Sequence, residues 1–303
     1  MNHPVGRVLI VGAMGQVGRA VREAFLAQGL PEGRIVGAGR AVDTDCPLVA
    51  DVSNLSDPYG LMETAQPDVV VNAAGMTWVD GCEADPDKAF RSNATGPEAL
   101  AKAARAVGAR NLYFSTEYVF DGNGGPYRED SPTAPLSVYG RSKLAGERVV
   151  QQADPDALIV RTTVVFGPEP RGRNFAYQLA GKLKNGLPVR VPADQISSPT
   201  YNRDLAAGVV RLLELGERGV FHLAGPQVIA RDEFARRIAR VLGWDADLVE
   251  GVATSSLAQT AARPLDAGLR IDKFLAISGE LRMRDTEEAA THWLANQRDL
   301  TWP

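Results

Sequence analysis

Tyr139 and Lys143 stand four residues apart in the run Tyr139-Gly140-Arg141-Ser142-Lys143, just after a loop rich in Pro, Asp and Gly. In a helix that spacing puts both side chains on one face, a phenol beside an ammonium. Free tyrosine titrates near about pH 10, and a neighbouring cation stabilises the phenolate and lowers that value. Such a pair can give or take a proton near neutrality. Alone, the two residues describe an ordinary exposed helix face, so chemistry needs further groups to converge on them. The candidate is Thr116, a hydroxyl just beyond a predicted strand over 111–114. Thr116, Tyr139 and Lys143 then form a catalytic triad directed at one carbonyl.

The elements that position such a triad are legible upstream. Residues 7–11 are a short β-branched and aliphatic strand that ends in Gly12-Ala13-Met14-Gly15-Gln16-Val17-Gly18, before an amphipathic helix reaching about residue 28. Strand, glycine turn and helix in that order form a nucleotide-binding unit. Gly12 allows the tight turn, Gly15 the approach of a pyrophosphate and Gly18 the packing of helix on strand, with the phosphate charge at the helix N-terminus. A second strand (34–38) ends at Gly39-Arg40. Arg40 can pair with a 2′-phosphate, which favours NADP(H), whereas Asp43 could serve the ribose of NAD(H), which stays possible.

Asp51-Val52 closes a third segment (48–52), where Asp51 either accepts from an adenine amino group or caps the next turn. After a helix over 55–64, the apolar run 69–71 reads as a buried parallel strand ending in Asn72-Ala73-Ala74-Gly75, small residues that leave room for a cofactor at the sheet's C-terminal edge. Residues 85–107 are helical, with Asn93 in the middle requiring polar partners if buried.

Later elements are a strand over 158–166, helices over 174–183, 204–215 and 232–242, a strand over 219–224 and a last helix near 286–296. Residues 189–191 and 194–200 are polar and proline-marked, reading as a binding loop instead of core. The fold class expected is α/β: a Rossmann-type doubly wound parallel sheet with a smaller, discontinuous α+β substrate lobe. Residues 1–167 and about 200–226 would form the dinucleotide-binding domain, and about 168–199 and 227–303 the lobe.

Composition narrows the class. The chain has 303 residues and a net charge of −4, with basic and acidic residues interspersed, so nucleic acid is not an expected partner. No leader or membrane-spanning run is evident, and a cytoplasmic protein is expected. Two cysteines and three histidines, scattered in sequence, give neither a disulfide framework nor metal-ligand spacing, so no metal is expected.

The glycine turn, Asp51-Val52, Asn72-Ala73-Ala74-Gly75, Ser115-Thr116 and Tyr139-x-x-x-Lys143, in that order, resemble the extended short-chain dehydrogenase/reductases. Within them, Ser115-Thr116-Glu117-Tyr118-Val119-Phe120-Asp121-Gly122, the run from Tyr139 to Glu147, Asp194-Gln195-x-x-x-Pro199-Thr200 and Arg263-Pro264 look like the dTDP-4-dehydrorhamnose reductase family. The resemblance runs from about residue 7 to at least Asp266. It implies an oxidoreductase of dTDP-rhamnose biosynthesis moving a hydride from NADPH to the C4 ketone of a nucleotide-linked deoxysugar.

In that picture Tyr139 donates the proton, Lys143 lowers its pKa and holds the nicotinamide ribose, and Thr116 bonds the reacting oxygen. Gly12, Met14, Gly15, Gln16, Val17, Gly18, Arg40, Asp51, Val52, Ala73, Ala74, Gly75 and Asn93 would surround the cofactor. Thr77, Val79, Tyr118, Asn174, Gln195, Pro199, Thr200 and Arg263 would face the substrate. A homodimer is a further family expectation.

Two positions depart from the pattern. Val164 stands where the family carries a tryptophan against the sugar, and Trp78 where it has a small residue. Either could alter the substrate. Two other readings share these motifs. One is a non-catalytic NADP-binding regulatory subunit resembling the beta subunit of methionine adenosyltransferase. The other is an NAD-dependent epimerase or dehydratase. A dehydratase would want two acids after Thr116, and Tyr118 follows Glu117 where the second is expected.

Overall fold

The computed structural model describes residues 4–169 and 171–296; the outermost residues of the two expected domains, 1–3 and 297–303, lie outside them. The first half of the chain runs β1 (Val8–Val11), α1 (Gln16–Ala27), β2 (Ile35–Gly39), β3 (Leu48–Val49), α2 (Pro58–Ala65), β4 (Val69–Asn72), α3 (Val79–Ala84) and α4 (Pro86–Phe90). A π-helical turn over Arg91–Thr95 then leads into α5 (Gly96–Ala106), β5 (Arg110–Thr116), α6 (Val138–Ala153) and β6 (Leu158–Thr162). The second half contains β7 (Val165–Phe166), α7 (Phe175–Leu183), β8 (Val189–Pro192), β9 (Ile196–Ser197), β10 (Thr200–Tyr201), α8 (Asn202–Leu215) and β11 (Gly219–His222). It ends with β12 (Ile229–Ala230), α9 (Arg231–Val241), β13 (Val249–Val252), α10 (Asp272–Leu275) and α11 (Thr286–Ala295).

Seven strands form one sheet in the order β11-β6-β5-β4-β1-β2-β3, and every pairing in it is parallel. The chain winds outward from β1 in both directions, which is the doubly wound arrangement. Strands covered on both faces need continuous apolar sequence, and β1 and β4 are buried along their whole length. One face packs under α1 and α8, whose Ala20, Val21, Phe25, Leu205, Val209 and Leu213 join the sheet residues in the largest core. The other face is covered by α2 and α5 through Leu61, Met62, Leu100 and Ala104.

A second core lies outside the sheet, where Phe166, Tyr177, Leu179, Phe234, Ile238 and Trp293 pack together. It corrects one expectation. Residues 189–191 are a strand of that core, paired in parallel with β13, a strand the sequence did not reveal. Val189 and Val191 are buried while Arg190 between them faces out, a period of two too short to be distinguished from a loop. Leu269, Ile271, Phe274 and Met283, expected in the lobe, instead pack in the large core.

Candidate active site

α6 begins where Ser137 caps it, the side chain accepting from Gly140 N–H at 3.1 Å. A Cβ on Gly140 would lie 2.2 Å from the Tyr118 carbonyl, so the glycine lets the turn after β5 press against the helix. That contact brings Tyr139 to the end of β5, beside Thr116. Tyr118 meets Tyr139 edge to face, ring centres 5.3 Å apart. Val79 and Cys82 of α3 pack on the same cluster.

Lys143 lies one turn further along α6, 6 % exposed. Its Nζ donates to the Phe114 carbonyl at 2.5 Å and sits 4.1 Å from the centre of the Tyr113 ring. Here the structure corrects the expectation of a lowered phenol pKa. Burial penalises both charged forms, pushing Lys143 down to about 7 and Tyr139 above the usual phenol value, with the Glu117 charge adding to the latter. An amine poised near neutrality is only partly an ammonium. The phenol keeps its proton and is set up as a donor.

Glu117 itself is 5 % exposed. Its Oε2 accepts from Thr116 Oγ1 at 2.6 Å, and its Oε1 from Thr163 Oγ1 at 2.7 Å. Burial raises its pKa, opposed by those two hydroxyls.

The glycine turn leaves β1 at the same edge of the parallel sheet where β5 ends in Thr116. Gly12 has φ +84°, and a Cβ there would lie 2.8 Å from Ala74 N, so both the backbone conformation and the packing on the Ala73-Ala74 segment need glycine. Gly15 precedes α1, which has no side-chain cap and no acid in its first turn. Its first N–H groups therefore have no side-chain partner and suit a phosphate. Gln16 borders the cleft, and its Nε2 is buried without a hydrogen-bond partner. Arg40 is exposed at the end of β2. Asp43, the acid that could serve NAD, accepts from Thr44 N–H at 2.6 Å within its own turn through Oδ1. These features fit a dinucleotide with a phosphate near Arg40.

Asp51 takes the capping alternative. Ser53 donates to it from both N–H (2.9 Å) and Oγ (2.8 Å). Despite the cost of burial, those bonds and the charges of Arg40 and Lys88 lower its pKa. Asn93 does not face the cleft. Fully buried, it accepts from Met76 N–H at 2.9 Å and donates to the Met76 carbonyl and Ser142 Oγ at 3.0 Å, pinning the segment after β4 to α6. A Cβ on Gly75 would lie 2.8 Å from the Asn93 carbonyl oxygen of the side chain.

Opposite the glycine turn, Thr77, Val164, Val165, Glu169, Asn174 and Phe175 border a cleft of about 410 Å³. Asn174 caps α7, accepting from Ala176 and Tyr177 N–H and donating to the Gly167 carbonyl. Val164 has φ +40°, a left-handed conformation that costs a β-branched residue roughly 1–3 kcal/mol. Thr200 N–H holds its carbonyl at 3.2 Å. Trp78, by contrast, is 70 % exposed.

Thr200, Pro199, Gln195 and Arg263, expected at the substrate, are not among the residues that border this cleft. Thr200 is fully buried, donating to the Ser198 carbonyl and accepting from Gly225 N–H. The Pro199 carbonyl lies against Gly225. Gln195 donates to Thr254 Oγ1 and Gln259 Oε1, tying down the strap 254–266. Arg263 on that strap forms a two-pronged ion pair with Asp80 of α3, at 3.0 and 2.9 Å.

The sequence reading missed the cleft's cations. Arg171, Arg173 and Arg231 all border it. Among the described residues none of the three has a carboxylate ion-pair partner. The Arg231 guanidinium lies 5.4 Å from the centre of the Phe175 ring, its Nε sealed from solvent without a partner. Arg171-Gly172-Arg173 was visible as a basic turn before α7, but nothing local marked Arg231. No group of His, Cys, Asp and Glu suited to a metal occurs among the described residues, and no helix there is long and apolar enough to cross a membrane.

Known proteins are similar to this chain along most of its length. A dTDP-4-dehydrorhamnose reductase of Mycobacterium tuberculosis is 36 % identical over 302 residues, 97 % of this chain and 94 % of its own. The probable low-salt glycan biosynthesis reductase Agl14 of Haloferax volcanii is 34 % identical, covering 90 % of this chain and 91 % of its own. The dTDP-4-dehydrorhamnose reductase of Bacillus anthracis, solved in complex with NADP, superposes with a TM-score of 0.86 at 30 % identity, covering 97 % of this chain and all of that one. Residues 6–298 match the RmlD substrate binding domain, and the chain belongs to that family.

Proposed function

We propose that this chain is an NADPH-dependent dTDP-4-dehydrorhamnose reductase, reducing the C4 ketone of a nucleotide-linked 6-deoxy sugar. The observation that supports the reading is a buried trio, Thr116 at the end of β5 with Tyr139 and Lys143 on α6, at the same edge of the parallel sheet where β1 leads into an uncapped helix N-terminus. The nicotinamide, when bound, supplies the hydride. Tyr139 donates its proton to the oxygen that becomes an alkoxide, and Thr116 bonds the same oxygen. Lys143, near neutrality in its pKa, holds the cofactor ribose. Gly12, Met14, Gly15, Gln16, Val17 and Gly18 cradle the pyrophosphate, and Arg40 holds the 2′-phosphate.

Arg171, Arg173 and Arg231 grip the substrate diphosphate. The sealed, unpartnered Nε of Arg231 supports this, because a desolvated cation is costly until an anion satisfies it, and the exposed Arg171 and Arg173 add positive charge beside it. Thr77, Val79, Tyr118 and Asn174 border the sugar. Gln195, Pro199, Thr200 and Arg263 act at one remove, holding the strap and the Val164 wall in place. The larger core thus serves the cofactor and the second core the substrate.

The test is oxidation of NADPH by the purified protein with dTDP-4-dehydro-6-deoxy-L-mannose, beside NADH and beside Tyr139→Phe. Turnover that prefers NADPH and disappears in the variant is expected. Tight NADP binding with no turnover would reject the reading.

A further inference from the structure

We propose, resting on the reductase reading above, that Tyr113 is a positioning residue for Lys143, its ring face holding the amine charged and in place to grip the cofactor ribose.

Tyr113 lies in β5, sealed from solvent. Lys143 Nζ stands over its ring, 4.1 Å from the centre. A cation that close to an aromatic face is attracted by the ring's quadrupole, more strongly where water is excluded. Lys143 is 6 % exposed, so the ring replaces part of the hydration an ammonium loses there. An ammonium has three N–H donors. One goes to the Phe114 carbonyl at 2.5 Å, and the others remain for the ring face and the ribose hydroxyls.

The ring is itself held. Its hydroxyl donates to the Asn93 carbonyl, in the π-helical turn, at 2.7 Å. A Cβ on Gly146 would lie 2.4 Å from that hydroxyl and 2.0 Å from the same carbonyl, so the glycine lets α6 press on the pair. Ala101, Val150, Ala157 and Ile159 pack with Tyr113 in one cluster. Burial also pushes the Tyr113 phenol well above its usual pKa, so the ring stays neutral and its face electron-rich.

Other groups do not supply the charge partner. Among the described residues Lys143 has no carboxylate ion pair. Glu147, one turn further along α6, is committed to Arg161 of β6 through bonds of 2.8 and 2.7 Å. Besides these, the titratable groups around the amine are Tyr139 on α6 and Cys82 on α3, with Glu117 and Tyr118 beyond Tyr139. Gly75, after β4, closes the remaining side: a Cβ there would lie 4.0 Å from Nζ.

The test reads the titration of Lys143 directly, through the nitrogen-15 resonance of its amine, assigned by its loss in Lys143→Met. Tyr113→Leu removes the ring and should lower the midpoint by about one pH unit or more. Tyr113→Phe, which keeps the ring and drops only the hydroxyl, should hold the midpoint near wild type. NADP affinity by calorimetric titration should follow. In Tyr113→Leu it should fall roughly fivefold at about pH 7, the loss shrinking toward about pH 5.5 as the amine becomes protonated in both proteins.

A residue that merely fills space would behave otherwise. Its loss would admit water to the amine and move the midpoint up toward the ordinary lysine value, or weaken NADP equally at both pH values. Either result, an unmoved midpoint, or a fall in Tyr113→Phe equal to that in Tyr113→Leu overturns the proposal. Should Tyr113→Leu not fold, pentafluorophenylalanine in place of Tyr113 keeps the ring's shape and strips the negative charge from its face. The midpoint should then fall in the same way, and an unchanged one refutes the role. If wild type binds NADP but reduces no nucleotide-linked ketone, the reductase reading fails while the amine's titration still decides the part played by Tyr113.

Discussion

Replacing Arg231 by Met should change two measurable quantities in opposite directions. The guanidinium borders the cleft, partly buried, with its Nε sealed and unpartnered. Burial holds its pKa below the ordinary guanidinium value, the charges of Tyr118 and Glu117 only partly offsetting that. Each charge-assisted hydrogen bond to a phosphate contributes about 1.5–3 kcal/mol. Losing one should weaken dTDP binding about 10- to 100-fold, at roughly 1.4 kcal/mol per tenfold.

Without ligand the balance reverses. Met fills the stem's volume and removes the unsatisfied charge, at the loss of a contact with Phe175 worth about 0.5–1 kcal/mol. A net gain on the order of 1 kcal/mol would raise the melting temperature by about 2 °C in a chain of this size. Calorimetric titration with dTDP and with NADPH, beside a thermal melt of the free protein, reads both. The prediction is weakened dTDP binding, unchanged NADPH binding and a higher melting temperature. Unchanged dTDP affinity, or a lower melting temperature with both ligands weakened, would show Arg231 to be a structural residue and refute the reasoning.

Other outcomes follow from the same geometry. Tyr139→Phe should cut reduction by about 10²-fold or more, with NADPH affinity by fluorescence titration left intact. Arg40→Ala should weaken NADPH roughly tenfold or more, one charge-assisted bond to the 2′-phosphate, while NADH kinetics stay as they were. Lys143 titrates near 7 in the folded chain, whereas the free side chain titrates near 10.5, so between those values the unfolded chain binds the extra proton and stability rises with pH. Lys143→Met should therefore stabilise the ligand-free protein most below pH 7. That gain should shrink toward pH 10.5 in denaturant titrations.

The first half of the chain could be read directly because each element there announces itself locally. A glycine turn after β1, three consecutive valines in β4 and the spacing of Tyr139 and Lys143 are each ambiguous alone, but their order along the chain has one physical meaning. In the second half β9, β10 and β12 are two residues long, and β8 finds its partner in β13, about 60 residues away in sequence. Arg231 shows the same limit at the level of the site. It is simply the first residue of a helix until the fold brings it beside Phe175. Thr200 shows the converse, since a polar residue in a proline-marked run is as well explained by a buried backbone contact as by a ligand. The titration of Tyr139 and Lys143 also escaped the sequence, because spacing gives proximity but not burial.

The most direct test of the central claim follows the hydride itself, using NADPH deuterated at the transferring position of the nicotinamide and dTDP-4-dehydro-6-deoxy-L-mannose as acceptor. The account predicts a sugar product carrying one deuterium, bonded to C4, by mass spectrometry and proton NMR. Cofactor oxidation that leaves no deuterium in the sugar, or deuterium on any other carbon, would contradict it.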